Sequence, residues 1–201
     1  MTDPGQCGGF GEPAHQAAGV GYGDGADGQP FRCRLALVTA AGFLPIGFAN
    51  SAVGEARLRQ LVLDVATRPE RWLALVRYDA DRRWYQRLAR DEDHEVWLLS
   101  WLPGQRTGFH DHGSSGGAFT VVQGCLRERA AYGGRPDPVG AARMPGPVRS
   151  FGPRYVHDVR NESARTALSV HAYSPPLTTM RRFDVSAGRL VLAAVETAAC
   201  W

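Results

Sequence analysis

The sequence predicts an all-β sandwich or barrel with short N-terminal α-helices in front of it, on three observations. From residue 96 onward, short apolar runs recur roughly every ten residues with Gly and Pro between them, the spacing of an all-β domain. Between residues 50 and 90 the apolar spacing is helical instead. The chain of 201 residues, 44% hydrophobic and 21% charged, suits one domain with a tail.

Taken in order, residues 1–30 predict a disordered tail. Nine of the first 28 residues are glycine, and so few sizeable apolar side chains cannot offset the entropy of ordering them. Arg32 and Arg34 precede an apolar run at 35–48, which has the look of a secretory leader. That run starts far from residue 1 and contains Gly42 and Pro45, so a cytoplasmic location is the expectation. Leu58, Leu61, Val62 and Val65 follow the i, i+3, i+4, i+7 pattern of an amphipathic helix, with Pro69 as its boundary. Trp72, Leu73, Leu75, Val76 and Tyr78 suggest a second short helix, and residues 31–90 together read as a helical lead-in packed on the barrel. Strands are expected at 96–101, 119–122, 126–131, 149–151, 156–159 and 167–173, within a barrel that takes up residues 91–201 and ends in C-terminal strands.

Composition removes several function classes. The formal net charge is +3, every one of the 23 cationic residues is arginine, and they are scattered, which argues against nucleic acid or an anionic membrane as partner. Mean hydropathy is −0.26 and no apolar run approaches the ~20 residues of a membrane span. Cys7, Cys33, Cys125 and Cys200 lie far apart with no Cys-x-x-Cys pair, so four free thiols are expected.

The histidines carry the chemistry. His110 and His112 form His-x-His, and on a strand alternate residues share a face, so both imidazoles can grip one ion. His157 follows in another β-like run. Three neutral imidazoles meeting inside a barrel suit Fe, Zn, Cu or Ni. Taken singly, a His-x-His is common and a lone histidine is more often a satisfied core or surface residue. His15 and His94 carry no pattern.

The glycines around these histidines raise the specificity. Gly104, His110-x-His112, Gly117 and Gly124 are spaced as in the first cupin motif, with Gly117 where a glutamate is usual. His157-x-x-x-Asn161 resembles the end of the second motif, with Gly152-Pro153-Arg154 in place of its usual Pro-x-Gly. The predicted architecture is therefore a cupin, a jelly-roll-like β-barrel.

Within the cupins the chain resembles the thiol dioxygenases, and among those the bacterial type I cysteine dioxygenases, over residues 55–184. The resemblance rests on Tyr85-Gln86-Arg87, on His110-Asp111-His112 through Gln123-Gly124-Cys125-Leu126-Arg127-Glu128, on His157-Asp158-Val159-Arg160-Asn161, and on Ser169-Val170-His171-Ala172-Tyr173-Ser174-Pro175-Pro176.

It implies an Fe(II) enzyme that adds both atoms of O₂ to the sulfur of L-cysteine, giving cysteine sulfinic acid, with His110, His112 and His157 as metal ligands. A set without a carboxylate leaves more positive charge on the metal than the common two-His-one-carboxylate set and so favours an anionic thiolate. Arg87 matches the arginine that binds the substrate carboxylate, a task suited to an always-charged fork of donors. A surface arginine is the plain alternative in a stretch that also holds Arg82, Arg83 and Arg90. Ser169, His171 and Tyr173 share a strand face and match the family's relay, in which Tyr173 donates a hydrogen bond to bound substrate or dioxygen.

Glycine at 117 implies no thioether cross-link to Tyr173. Met180 stands where some relatives have a cysteine near the substrate, and Ser174-Pro175 is cis in relatives. Two alternatives stay open: a sister enzyme for 3-mercaptopropionate or cysteamine, because glutamine is usual at the arginine's place in the 3-mercaptopropionate enzymes and Gln86 adjoins Arg87, and a non-catalytic metal-binding cupin. Relatives are often monomeric, and a monomer is expected.

Overall fold

The computed structural model describes residues 53–198; the expected tail at 1–30 and the apolar run at 35–48 lie outside them. Helix α1 spans Glu55–Ala66, buries Leu58 and Val62, and half-buries Leu61 and Val65 on the same stripe. Thr67 closes it by donating its hydroxyl to the Leu63 carbonyl at 2.8 Å, and Pro69, lacking an N–H, prevents continuation. The second apolar cluster forms two single turns of 3-10 helix, Pro69–Arg71 and Leu73–Leu75, rather than an α-helix. Trp72 between them is buried and donates its indole N–H to Val65 O at 2.9 Å, which ties these turns to α1.

The strands are β1 (Tyr85–Arg90), β2 (Glu95–Trp101), β3 (Phe109–His110), β4 (Gly116–Gln123), β5 (Leu126–Tyr132), β6 (Arg135–Pro136), β7 (Ala141–Arg143), β8 (Arg149–Phe151), β9 (His157–Arg160), β10 (Ala167–Ser174), β11 (Thr179–Ser186) and β12 (Arg189–Thr197). β1 falls within the 31–90 stretch expected as helical lead-in, which therefore ends before Tyr85. As an edge strand with mostly exposed side chains, β1 carries no apolar alternation for a sequence reading to detect.

Two antiparallel sheets form. One has the order β1-β2-β10-β4-β8, the other β12-β11-β3-β9-β5-β6 with β7 also on β5. Together they make a curled, half-closed barrel behind α1. A core of Leu99, Trp101, Phe119, Val121, Leu126, Phe151 and Val159 draws on both sheets. A second core, Leu58, Val62, Trp72, Val96, Leu98, Ala118, Leu168, Val170 and Ala172, lies between α1 and the back of the first sheet.

Side chains alternate across the sheet with a period of two, so β2 sends Val96 and Leu98 to the helix and Leu99 and Trp101 to the barrel interior. β10 is buried along its whole length. The turn from β4 to β5 needs Gly124, whose φ is +75° and whose missing Cβ would lie 2.5 Å from Thr166 O. The neighbouring Cys125 is disulfide-bonded, which corrects the expectation of a free thiol at this position.

Candidate active site

β3 is only two residues long, wedged between β9 and β11, and its ladder sets His110 directly opposite His157. Directly paired residues on one sheet face hold their Cβ atoms about 4.5–5.5 Å apart, so the two rings meet without special loop geometry. His112 follows two residues later. The ligand-capable nitrogens of the three rings lie within 4.8 Å of one another, and all three side chains are buried.

Asp111, between the two histidines, is buried and anchors their turn to β11. It accepts from Arg181 Nε at 2.8 Å and also from Arg181 Nη2, and from the Gly113 and Arg181 backbone N–H groups at 3.2 and 3.3 Å.

Hydrogen bonds define the tautomers. His110 Nδ1 is 2.9 Å from the Gly108 carbonyl and His157 Nδ1 is 2.9 Å from Glu128 Oε1. Both partners only accept, so each Nδ1 carries the proton and each Nε2 presents a lone pair. His112 has no hydrogen-bond partner on either ring nitrogen although both are buried. A buried unsatisfied polar atom costs about 1–3 kcal/mol, and a metal ion shared with His110 and His157 would satisfy one of them.

Burial, and then the neighbouring histidines, push the pKa values of His110 and His112 well below the usual imidazole range, so the rings are neutral donors. The donor set fits a transition metal.

Three alternate residues of β10 make a second array beside the first. Trp101 Nε1 donates to Ser169 Oγ at 2.9 Å, Ser169 Oγ lies 2.8 Å from His171 Nε2, and His171 Nδ1 lies 3.3 Å from the Tyr173 hydroxyl. With Trp101 as donor to Ser169, the buried Ser169 proton goes to His171 Nε2. The imidazole proton then sits on Nδ1 and points to the phenol oxygen, leaving the Tyr173 O–H free to donate elsewhere. Burial, then His157 and Arg83, lower the His171 pKa to about 3, so this ring too is neutral. Burial also raises the Tyr173 pKa, which keeps the phenol protonated. The Tyr173 ring lies 4.7 Å from that of His112.

The cavity beside Tyr173 has a volume of about 90 Å³ and is lined by Arg83, Tyr85, Trp97, Leu99, Tyr173, Leu177, Met180 and Arg182. Arg87, opposite Trp97 across the β1–β2 ladder, sits instead at the rim. Its side chain is 44% exposed, with the guanidinium over the Trp97 ring at 5.4 Å and 3.9 Å from Glu95 Oε2. Arg83 is the inward-facing arginine that sequence reasoning passed over. Its guanidinium stacks on Trp101 at 4.9 Å, its Nε is buried without a partner, and burial lowers its pKa to about 10, which leaves it charged at neutral pH. Arg182 is already held by Glu196, at 3.1 and 3.0 Å, and by Thr107 O.

Two further residues complete the surroundings of the histidines. A Cβ at Gly117 would come within 2.5 Å of Phe151 and 3.1 Å of Tyr173, because the Phe151 ring fills the space where the motif's usual glutamate would extend. That ring stacks on His112 at 5.2 Å. Glu128 is fully buried and takes the His157 hydrogen bond; its place between inward-facing Leu126 and Ala130 on β5 was the sequence signal for it. The Ser174-Pro175 peptide is cis.

The sequence pattern of a family described as cysteine dioxygenase type I matches residues 47–186. A Danio rerio protein described as cysteine dioxygenase type 1 is 25% identical over 153 residues, covering 70% of this chain and 75% of that one. Among solved structures, a Thermus thermophilus protein is 26% identical, covers 52% of this chain and 93% of its own, and superposes with a TM-score of 0.46. A Klebsiella pneumoniae protein with a double-stranded β-helix domain is 18% identical, covering 59% and 90%, with a TM-score of 0.45. A cupin superfamily protein from Desulfitobacterium hafniense is 12% identical, covering 51% and 86%, with a TM-score of 0.43.

Proposed function

The chain belongs to the cysteine dioxygenase type I family, and from that premise we propose that it oxidises L-cysteine with O₂ to cysteine sulfinic acid at an Fe(II) ion held by His110, His112 and His157. The observation that carries this reading is three buried, neutral imidazoles within 4.8 Å of one another beside a hydrogen-bonded Ser-His-Tyr array. A ferrous ion held there would bind the thiolate and activate dioxygen toward it. The reaction balances as one thiol plus one O₂ giving one sulfinic acid, with no external reductant.

The chain's own residues bind, orient and protect. Tyr173 donates its phenol O–H to the reacting substrate, oriented by His171, with Ser169 fixing the His171 tautomer. An arginine holds the substrate carboxylate, for about 1.5–3 kcal/mol as a charge-assisted hydrogen bond. The family pattern gives that task to Arg87. The buried, unpartnered Nε of Arg83 supports Arg83 as the holding group, with Arg87 attracting the anion at the mouth. Arg83→Gln should then lower kcat/KM roughly 10- to 150-fold, and Arg87→Gln much less; the reverse ranking would return the carboxylate to Arg87. Apolar walls from Leu99, Leu177 and Met180 limit water around the reacting sulfur.

Cationic groups lining the cavity favour a thiol with a carboxylate, so 3-mercaptopropionate is the nearer alternative substrate and cysteamine the more distant one. A non-catalytic metal-binding cupin would have no use for the buried relay of β10. The proposed setting is a monomer in the cytoplasm; the Cys125 disulfide is the observation that pulls against a reducing compartment. Among the described residues no helix is long and apolar enough to cross a membrane. The reading is tested by loading the purified protein with Fe(II), supplying L-cysteine, 3-mercaptopropionate and cysteamine in turn, and measuring O₂ uptake with sulfinate. Sulfinate from L-cysteine with the highest kcat/KM is the expected result, and no sulfinate from iron-loaded protein would overturn it.

A further inference from the structure

The three-histidine set brings no negative charge to the metal, and Gly117 with Phe151 behind it closes the position from which a glutamate would. A carboxylate is nevertheless present one hydrogen bond further out. Glu128 is 0% exposed, and both its oxygens are engaged. Oε1 accepts from His157 Nδ1 at 2.9 Å and from the Tyr155 hydroxyl at 3.2 Å. Oε2 accepts from Arg143 Nε at 2.7 Å and lies 3.5 Å from Arg149 Nε. Arg149 also donates to the Tyr155 hydroxyl at 3.1 Å.

The carboxylate is thus clamped from three sides, with one oxygen aimed at His157 and the other turned to the two guanidiniums. The three ligand rings are not equivalent: His110 leans on a neutral carbonyl, His112 has no partner, and His157 alone leans on an anion.

We infer that Glu128 is a positioning residue for the metal centre: through the Nδ1–H of His157 it supplies the negative charge that the ligand set lacks, fixing the ring's tautomer and making its Nε2 a stronger donor. A carboxylate–histidine pair does this wherever the imidazole's other nitrogen binds a metal. This rests on the three-histidine metal reading above, but not on the identity of the thiol. The competing account is that Glu128 only ties β5 to β7 and β8 through Arg143 and Arg149, and the two oxygens allow the accounts to be separated.

The test is titration of the apoprotein with Co(II), read by visible absorption, alongside the apoprotein Tm. Glu128→Gln should weaken Co(II) binding 10- to 100-fold and shift the Co(II) absorption bands. Glu128→Asp keeps the charge facing Arg143 but withdraws the carboxylate from His157 by one methylene, and it should weaken binding in the same direction even if the glutamine variant folds poorly. Arg143→Gln acts on Oε2 alone and should lower the Tm while leaving Co(II) affinity unchanged. Unaltered affinity and spectrum in both Glu128 variants, or an equal loss of affinity in Arg143→Gln, would overturn the inference, as would a wild-type chain that binds no Co(II). Tight Co(II) binding that Glu128→Gln weakens, in a protein whose iron form oxidises no thiol, would uphold it while defeating the proposed function.

Discussion

The two faces of β10 are equally buried and have opposite chemistry. Leu168, Val170 and Ala172 pack against α1 and its surroundings, whereas Ser169, His171 and Tyr173, interleaved with them, form a hydrogen-bonded chain in the barrel interior. The apolar face gains from leaving water at roughly 25 cal/mol per Å². The polar face gains less of that kind, mainly through the Tyr173 ring in the interior core, and each polar group on it must find a partner or cost free energy. Stability is concentrated on the side facing the helix and chemistry on the side facing the histidines, within one strand.

Substitutions on the two faces should therefore separate activity from stability. The largest effect is expected at the proposed metal ligands: His112→Ala should abolish both stoichiometric metal binding and thiol oxidation, measured by metal analysis and O₂ uptake. Metal retained at full stoichiometry would break the ligand assignment. Tyr173→Phe removes one hydroxyl from the inner face and should lower kcat by about 10²- to 10⁴-fold, with the metal content unchanged. On the outer face, Leu168→Ala should cost about 2–5 kcal/mol by urea unfolding while the activity per folded molecule stays at the wild-type value. A large kcat loss in Leu168→Ala would show that the faces are not separable.

The pH dependence of stability gives the smallest and most selective contrast. His171 titrates near 3 in the folded protein because of burial, then His157 and Arg83, and near 6.5 when unfolded. Between those values the unfolded chain carries a proton that the folded chain lacks, so apoprotein stability rises with pH from about 3 to 6.5 and is lost as pH falls through that window. His171→Gln should flatten the slope of urea-unfolding free energy against pH in that range. Leu168→Ala should lower the whole curve without changing its slope.

The same contrast explains what the sequence made legible. β2, β4, β5, β8, β9 and β10 stand within a few residues of where apolar runs put them, because a buried strand face constrains side chains every second residue. β1 and β12 expose most of their side chains and β11 is mostly half-buried, so no buried alternation marks their period, although the apolar run at 190–195 agrees with the C-terminal strands expected there. The Ala187-Gly188 turn, with φ of 49° and 73°, is the local signal that joins the last two strands. His110, His112 and His157 could be picked out because ligands sit at fixed spacings along the chain, and the structure gathers them into one cluster.

Arg83 was not legible, and Glu128 was legible only through its alternation with Leu126 and Ala130 on β5. Each acts between neighbouring segments far apart in sequence, Arg83 just before β1 on Trp101 of β2 and Glu128 of β5 on His157 of β9, and neither spacing is local. An arginine in an arginine-rich stretch and a glutamate between two arginines look like solvated surface until the strand register is known.

The central claim is that the inner face of this barrel joins both atoms of one O₂ to a thiol sulfur. Turnover of L-cysteine by the Fe(II)-loaded protein under ¹⁸O₂, with mass analysis of the product, tests it most directly. The account predicts sulfinate carrying two heavy oxygens from a single dioxygen. Sulfinate with one heavy oxygen or none, or disulfide as the sole product, would contradict it.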